Sequence, residues 1–272
     1  MKLLVSAFLL LVLSYPATAE VVDSTPIPKD CLSFFSNGQP PIGPSGVQYK
    51  MICQKTEDGY EYATLYDTNN KIPVYSAYEF QGKRSKTSSW DIEPQLDDQN
   101  GGEFMASEGT VRNGLGQRQA VNEDYKKSNY DRGHLLPVNH RHTKSSADAT
   151  FTLTNAAPQH PTFNRGIWKV TESEVVKTLI NNCLMKNLNA HIVTGVVPGS
   201  TYIGQKKDVN VPSHFWTAYC CRDNNIPKES GAFYGTNDDS KKVVPMQIAN
   251  LDAKLGGDYG VTGFKVFSDE CQ

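Results

Sequence analysis

Two short segments of this 272-residue chain carry residue types that could do chemistry together: Asp131-Arg132-Gly133-His134 and, thirty residues on, Asn164-Arg165-Gly166-Ile167-Trp168. A neutral imidazole can take a proton from water, because its unperturbed pKa lies close to physiological pH. An asparagine carboxamide is a neutral oxygen ligand for a hard divalent cation, and magnesium, which keeps most of its waters, is seated by one or two protein oxygens. Arginine adds a planar, permanent charge that matches phosphate oxygens. An activated water, a hard cation and fixed positive charge are what hydrolysis of a phosphodiester requires. Either segment alone is a weak signal; together they supply each part.

The charge around these segments is local rather than global. The chain carries 27 Lys and Arg against 29 Asp and Glu, a formal charge of −2, which argues against a protein held to nucleic acid by bulk electrostatics. Between Tyr125 and Ser145, however, stand Lys126, Lys127, Arg132, Arg141 and Lys144, opposed only by Asp131, with His134, His140 and His142 among them. A second cluster, Lys83-Arg84-Ser85-Lys86, lies upstream. Each cluster alone reads as a solvated surface loop, and His140-Arg141-His142 as a solvated basic turn. Their concentration around His134 points instead to a local anion site.

The elements that must position these residues follow from periodicity. Residues 48–54 and 60–67 alternate around Glu57-Asp58-Gly59, a hairpin signal, and 73–80 is a further strand. Residues 91–120, with Pro94 and five glycines, read as a long loop. Leu135–Val138 and Thr150–Thr154 read as short β-type segments bracketing a polar loop. Ile167, Trp168, Val170, Val175, Val176, Leu179, Ile180, Cys183 and Leu184 recur at helical spacing, with Glu172, Glu174 and Lys177 on the wet face, predicting a helix over 165–187. Residues 190–197, 215–221 and 263–267 read as strands. Strands on both sides of one long helix predict an α+β fold with a mixed or antiparallel sheet.

The first nineteen residues read as a secretory signal peptide: Lys2, an apolar run from Leu3 to Leu13, and Ala17-Thr18-Ala19 as the small-x-small cleavage pattern. That run is too short to span a bilayer, which takes roughly 20 residues. The expected product is secreted and without a membrane span, with residues 20–272 forming one domain and a formal charge of −3 once Lys2 is lost. Six cysteines (31, 53, 183, 220, 221, 271) in an exported chain are most simply disulfides, and no CxxC spacing supports a thiolate metal site. Six cysteines allow 15 pairings; the reading joins Cys31 to Cys53 and Cys271 to either Cys220 or Cys221.

The two opening segments, with Thr154-Asn155-Ala156-Ala157-Pro158-Gln159 between them, resemble the DNA/RNA non-specific endonuclease family, built on a ββα-metal core. The Cys-x-x-Phe-Phe opening at Cys31, Pro-Ser-His-x-Trp at Pro212 and the Cys-Cys pair resemble its secreted branch of endonuclease domain-containing proteins. The resemblance implies His134 as general base, Asn164 as the direct protein ligand of a hydrated Mg²⁺ that Mn²⁺ or Ca²⁺ could replace, and Glu172 as a holder of metal-coordinated water. It implies that Asn155 orients the histidine, with Arg132 either anchoring the hairpin or contacting phosphate. Asp131 is expected to pair with Arg132, and Arg84, before Trp90, corresponds to an upstream phosphate-holding arginine. It implies DNA and RNA as substrates, gripped through the phosphate backbone. Two positions depart from the family pattern: Asn139 stands where a small residue is usual, and Val176 where a second phosphate-binding arginine is expected, with Lys177 beside it.

Plainer readings stand beside these. Asn164 serves equally as a helix N-cap, Glu172 as a solvated acid on a helix face, and Trp168 as core; His160, His191 and His214 read as surface or core. Besides the Mg²⁺-dependent endonuclease, two functions remain open: a catalytically weak or inactive secreted binding protein on the nuclease fold, and a nuclease restricted to single strands or RNA.

Overall fold

The structure, a computed structural model, describes residues 21–22, 26–82, 89–224, 226–268 and 271. The leader reading at 1–19 and the Lys83-Arg84-Ser85-Lys86 cluster, including Arg84, lie outside the described residues.

Twelve strands are described, in chain order: β1 (Val21–Val22), β2 (Tyr49–Thr56), β3 (Gly59–Asp67), β4 (Ile72–Glu79), β5 (Asp131–His134), β6 (Ala156–Gln159), β7 (Asn189–Val197), β8 (Thr201–Ile203), β9 (Val209–Val211), β10 (His214–Asp223), β11 (Ile226–Thr236) and β12 (Val243–Met246). Eight of them form one sheet in the order β1-β2-β3-β4-β7-β10-β11-β12, and every neighbouring pair is antiparallel. The expected α+β class and antiparallel sheet are what the chain forms.

The sheet is covered on both faces, and the period-two alternation of its central strands shows how. On β10, Trp216, Ala218 and Cys220 enter one core, with Cys31, Phe34 and Phe35 of the N-terminal arm (residues 26–46) and the helix Ile248–Tyr259. Phe215, Tyr219 and Cys221 enter the cores on the other face, beneath the helix Lys169–Asn182 and the β5–β6 pair. On β7, Val193 and Val197 go to the first face, Ala190, Ile192 and Val196 to the second. The same alternation settles the cysteines. Adjacent residues on a strand face opposite ways, so Cys220 bonds Cys271 on one side and Cys221 bonds Cys183, at the end of the long helix, on the other. Cys31–Cys53 ties the N-terminal arm to β2, as expected.

Several expectations are corrected. The strands flanking the polar loop are Asp131–His134 and Ala156–Gln159, not 135–138 and 150–154. Three polar residues and a glycine in β5 give no apolar alternation to mark it; pairing with β6, not propensity, makes it a strand. Residues 263–267 form no strand beyond a single bridge of Lys265 to Ile42, because Phe264, Val266 and Phe267 pack on the C-terminal helix. The long helix is kinked at its start: Pro161–Phe163, then a π-type turn Asn164–Trp168 in which Gly166 leaves the helical basin (φ −108°, ψ −112°), then Lys169–Asn182. Val170, expected on the apolar face, is 59% exposed, because its spacing from Val175 and Leu179 puts it on the opposite side of the regular helix. The strands β11 and β12 and the helix Ile248–Tyr259 have no counterpart in the sequence reading. No described helix is long and apolar enough to cross a membrane.

Gly133 is required by close approach rather than by a bend. A Cβ built there would lie 2.2 Å from Gln159 Oε1 and 2.5 Å from Gln159 Cβ, on the paired strand. Gln159 is fully buried and cannot swing away. Gly133→Ala is therefore expected to destabilise the fold by about 1–3 kcal/mol through overpacking, read as a lower midpoint in urea unfolding; an unchanged midpoint would show that the hairpin yields at that point.

Candidate active site

The centre is built on the β5–β6 pair and the turn that follows it. His134 ends β5 opposite Ala156. Its ring is held between Trp90, with centroids 4.6 Å apart and planes tilted by 42°, and Phe151, at 4.9 Å and nearly perpendicular. Burial among these rings penalises the charged form and lowers the His134 pKa to about 4. The imidazole is thus neutral at physiological pH, and its Nε2 has no hydrogen-bond partner. A neutral ring with an unused nitrogen has the chemistry to accept a proton. Trp90 and Phe151 have no such role in the sequence reading; they lie far from His134 along the chain or in a separate segment, and only the fold brings them to the histidine.

Asn155 fixes the chain immediately downstream. Its backbone carbonyl accepts from Leu135 N (2.9 Å). Its side-chain Oδ1 accepts from Leu136 N (2.9 Å) and from Ser76 Oγ on β4 (2.9 Å), while Nδ2 donates to the carbonyls of Leu136 (3.1 Å) and Thr150 (3.0 Å). The amide is fully buried with every one of these bonds made, so it pins the exit from His134 to the central sheet.

Arg132 and His134 share one face of β5 and share Trp90. The Arg132 guanidinium lies 5.9 Å from the Trp90 ring and 5.2 Å from the Tyr125 ring, and its Nη2 donates to the carbonyl (3.2 Å) and Oδ1 (2.9 Å) of Asn122. Asp131 does not pair with it. Adjacent strand residues point to opposite faces, and the Asp131 carboxylate instead accepts from Asn164 Nδ2 (2.9 Å), Arg165 Nε (2.8 Å) and Arg165 Nη2 (2.5 Å). Asn164 thereby meets the histidine's strand at its other end, through Asp131.

Glu172 is placed otherwise than expected. It is no solvated acid: its carboxyl faces the sheet beside a cavity of about 10 Å³ lined by Leu135, Pro137, His140, Trp168, Thr194 and Thr217, among others. A space of that size holds about one water. Burial raises the Glu172 pKa to about 8, with Lys169 pulling weakly the other way. Glu174 and Lys177 do face solvent. Val176, one turn on, is 6% exposed inside the same core as Val175 and Leu179, so an arginine there would be buried rather than presented to a ligand.

The basic cluster is likewise thinned. Arg141 is fully buried, donating to the carbonyls of Glu61 and Glu79 and pairing with Glu61 Oε2 at 3.0 Å. His140 is 2% exposed, against Tyr78 Oη at 2.9 Å, with its pKa lowered to about 3 chiefly by burial. These two residues are structural, not the solvated turn their composition suggested, because their aliphatic and ring atoms fill the core under β4. Lys126, Lys127, His142 and Lys144 stay exposed.

The donor set suits a hydrated hard cation and not a caged one. Among the described residues no group of three or more His, Cys, Asp or Glu side chains converges on a point. What the chain offers is the Asn164 Oδ1, left over once its Nδ2 is taken by Asp131, and the desolvated carboxyl of Glu172, whose ionisation a nearby cation would restore.

Glu172 makes the metal-free protein pH-sensitive. Its pKa is raised from 4.5 to about 8 on folding, so the folded state binds more protons in that window. Its contribution is present below pH 4.5 and lost as pH rises through about 8. In EDTA, the stability of Glu172→Gln relative to wild type is expected to grow as pH rises from 5 to 8.5, measured by urea unfolding; a constant difference would place the carboxyl in water.

The profile of the DNA/RNA non-specific endonuclease family matches residues 47–268. The chain is 37% identical over 201 residues to the human Endonuclease domain-containing 1 protein, covering 71% of this chain and 39% of that one, and 33% identical over 238 residues to the mouse protein of that name, covering 83% and 45%. It therefore spans about two-fifths of the length of these relatives. Human mitochondrial Endonuclease G is 33% identical over 111 residues, covering 36% of this chain and 35% of its own. The fold superposes on a solved EndoG/EndoGI complex with a TM-score of 0.56 at 20% identity, over 85% of this chain and 91% of that one, a likeness of fold. With a matched profile over most of its length and the β5–β6–helix core described above, the chain belongs to the DNA/RNA non-specific endonuclease family.

Proposed function

We propose that this protein is a secreted, divalent-metal-dependent endonuclease that hydrolyses phosphodiester bonds in DNA and RNA with little sequence preference. The observation that carries the reading is His134: a neutral imidazole, clamped by Trp90 and Phe151, with a buried Nε2 left without a partner at the end of the family's motif strand. In this reading Nε2 takes the proton of the attacking water, and Asn155 keeps the backbone behind the ring from shifting as it does so. The phosphate, being anionic, stabilises the imidazolium that results and draws the His134 pKa up from its unliganded value. Arg132, already oriented by Asn122 and by two aromatic rings, is a cation on that same face of β5. A hydrated Mg²⁺ at Asn164, with Glu172 holding one of its waters, would neutralise phosphate charge and stabilise the leaving 3′-oxygen. Recognition through phosphate and sugar carries little base information, which accounts for an unspecific substrate range. Arg84 retains its proposed phosphate-holding role, and export rests on the leader pattern at residues 1–19.

The withdrawal of Arg141 into an ion pair and of Val176 into the core favours a second reading, a weakly active or inactive binding protein on the same fold. One assay separates them. Purified residues 20–272 are incubated with plasmid and with total RNA, in Mg²⁺ or EDTA, beside His134→Ala. Degradation of both substrates in Mg²⁺, its loss in EDTA and a fall of roughly 10²–10⁴-fold in His134→Ala are expected, the usual contribution of a positioned general base. Intact substrates in Mg²⁺ would remove the enzyme reading, and equal cutting by His134→Ala would remove the base assignment.

A further inference from the structure

The Asp131 carboxylate is the acidic group in direct contact with Asn164, yet both its oxygens are already engaged. Oδ2 accepts from Asn164 Nδ2 (2.9 Å) and Arg165 Nε (2.8 Å), and Oδ1 accepts from Arg165 Nη2 (2.5 Å). An ionised carboxylate only accepts, so it dictates which way the Asn164 amide turns: the NH₂ must face Asp131 and the carbonyl oxygen must face away. The Asn164 backbone is fixed as well, its N–H donating to the His160 carbonyl (2.8 Å) in the π-type turn. Arg165 is an unusual partner for this work, since its side chain is 73% exposed while the Asp131 side chain is 17% exposed. An exposed pair on a surface contributes little stability. A two-pronged one whose carboxylate also grips a neighbouring amide has a different use, because it fixes direction.

We propose that Asp131 and Arg165 form a clamp that presents Asn164 Oδ1 as a neutral ligand, and that Arg165 withholds the Asp131 carboxylate from the metal. This rests on the reading of Asn164 as a metal ligand. Asp131 is a positioning residue in this arrangement, acting through Asn164 without touching substrate. Arg165 keeps the centre at one neutral protein oxygen, which leaves the cation hydrated and its charge available to phosphate. Were Arg165 absent, a bare carboxylate three residues from His134 on the same strand would compete for the cation.

The clamp is tested by direct Mn²⁺ binding, followed by electron paramagnetic resonance without substrate, on wild type, Asn164→Ala, Asp131→Ala and Arg165→Gln, each first shown to be folded by cooperative thermal unfolding. Asn164→Ala is expected to abolish binding; if it binds like wild type, the metal reading of the proposed function fails. Given that control, Asp131→Ala is expected to weaken Mn²⁺ binding about 10–100-fold, the usual effect of losing a partner that orients a ligand. Arg165→Gln is expected to tighten it by about tenfold, because ligand charge sets affinity at oxygen sites. Unchanged affinity in Asp131→Ala, or weakened affinity in Arg165→Gln, would overturn the clamp. Arg165 is exposed enough that its variant folds even if Asp131→Ala does not, so the test survives the loss of one protein.

Discussion

The four hydrogen bonds of the Asn155 amide hold the centre to the rest of the molecule. The β5–β6 pair belongs to a sheet of two strands, and a two-stranded unit has little stability of its own in water. Through Asn155 it is bonded at once to its own loop, at Leu136 and Thr150, and to Ser76 on β4 of the large sheet. Ser76 is in turn bonded to Thr64 on β3. The position of His134 is therefore tied to the central sheet, and burial of the amide keeps water from competing for these bonds.

That rigid placement sets the chemistry of the imidazole. A histidine on a solvated loop would titrate near neutrality; this one sits between two rings that exclude water and keep it neutral. The cost is a buried nitrogen without a partner, tolerable in a folded domain of this size because a chain with marginal net stability can still carry a few unsatisfied groups at a working site. Glu172 is the complementary case. Burial favours the neutral form of a carboxyl beside the cavity lined by Leu135 and Pro137.

Charge follows the same division between inside and outside. Arg141 and Glu61 take their charges into the core, where the pair is held by additional bonds to backbone carbonyls and contributes nothing to a surface field. Arg132 is half-way, its charge spread against Trp90 and Tyr125. Lys126, Lys127 and Lys144 remain in water. A count of basic residues along the chain merges these three populations, although only the exposed ones can attract a polyanion from a distance.

The sequence by itself determined the class of fold, the hairpin 49–67, the strands β4, β7 and β10, the long helix and the family of the chain, because each is written in local periodicity or in a short motif whose residue types have few other uses. The Cys31–Cys53 bond was legible for the same reason, its loop being short. What only the tertiary structure decided are relations between residues without a common local signal. Cys220 and Cys221 look equivalent until β10 sends them to opposite faces. Asp131 and Arg132 look like a pair until β5 does the same, giving Asp131 to Asn164 and Arg165. His140 and Arg141 read as surface by composition, yet the fold buries both under β4, and Glu172 lies on the inner side of a helix whose kink at Gly166 no periodicity records. In each case the missing information is the face an element turns toward its neighbours, which is settled by packing across the sheet and not by the residues on either side in the chain.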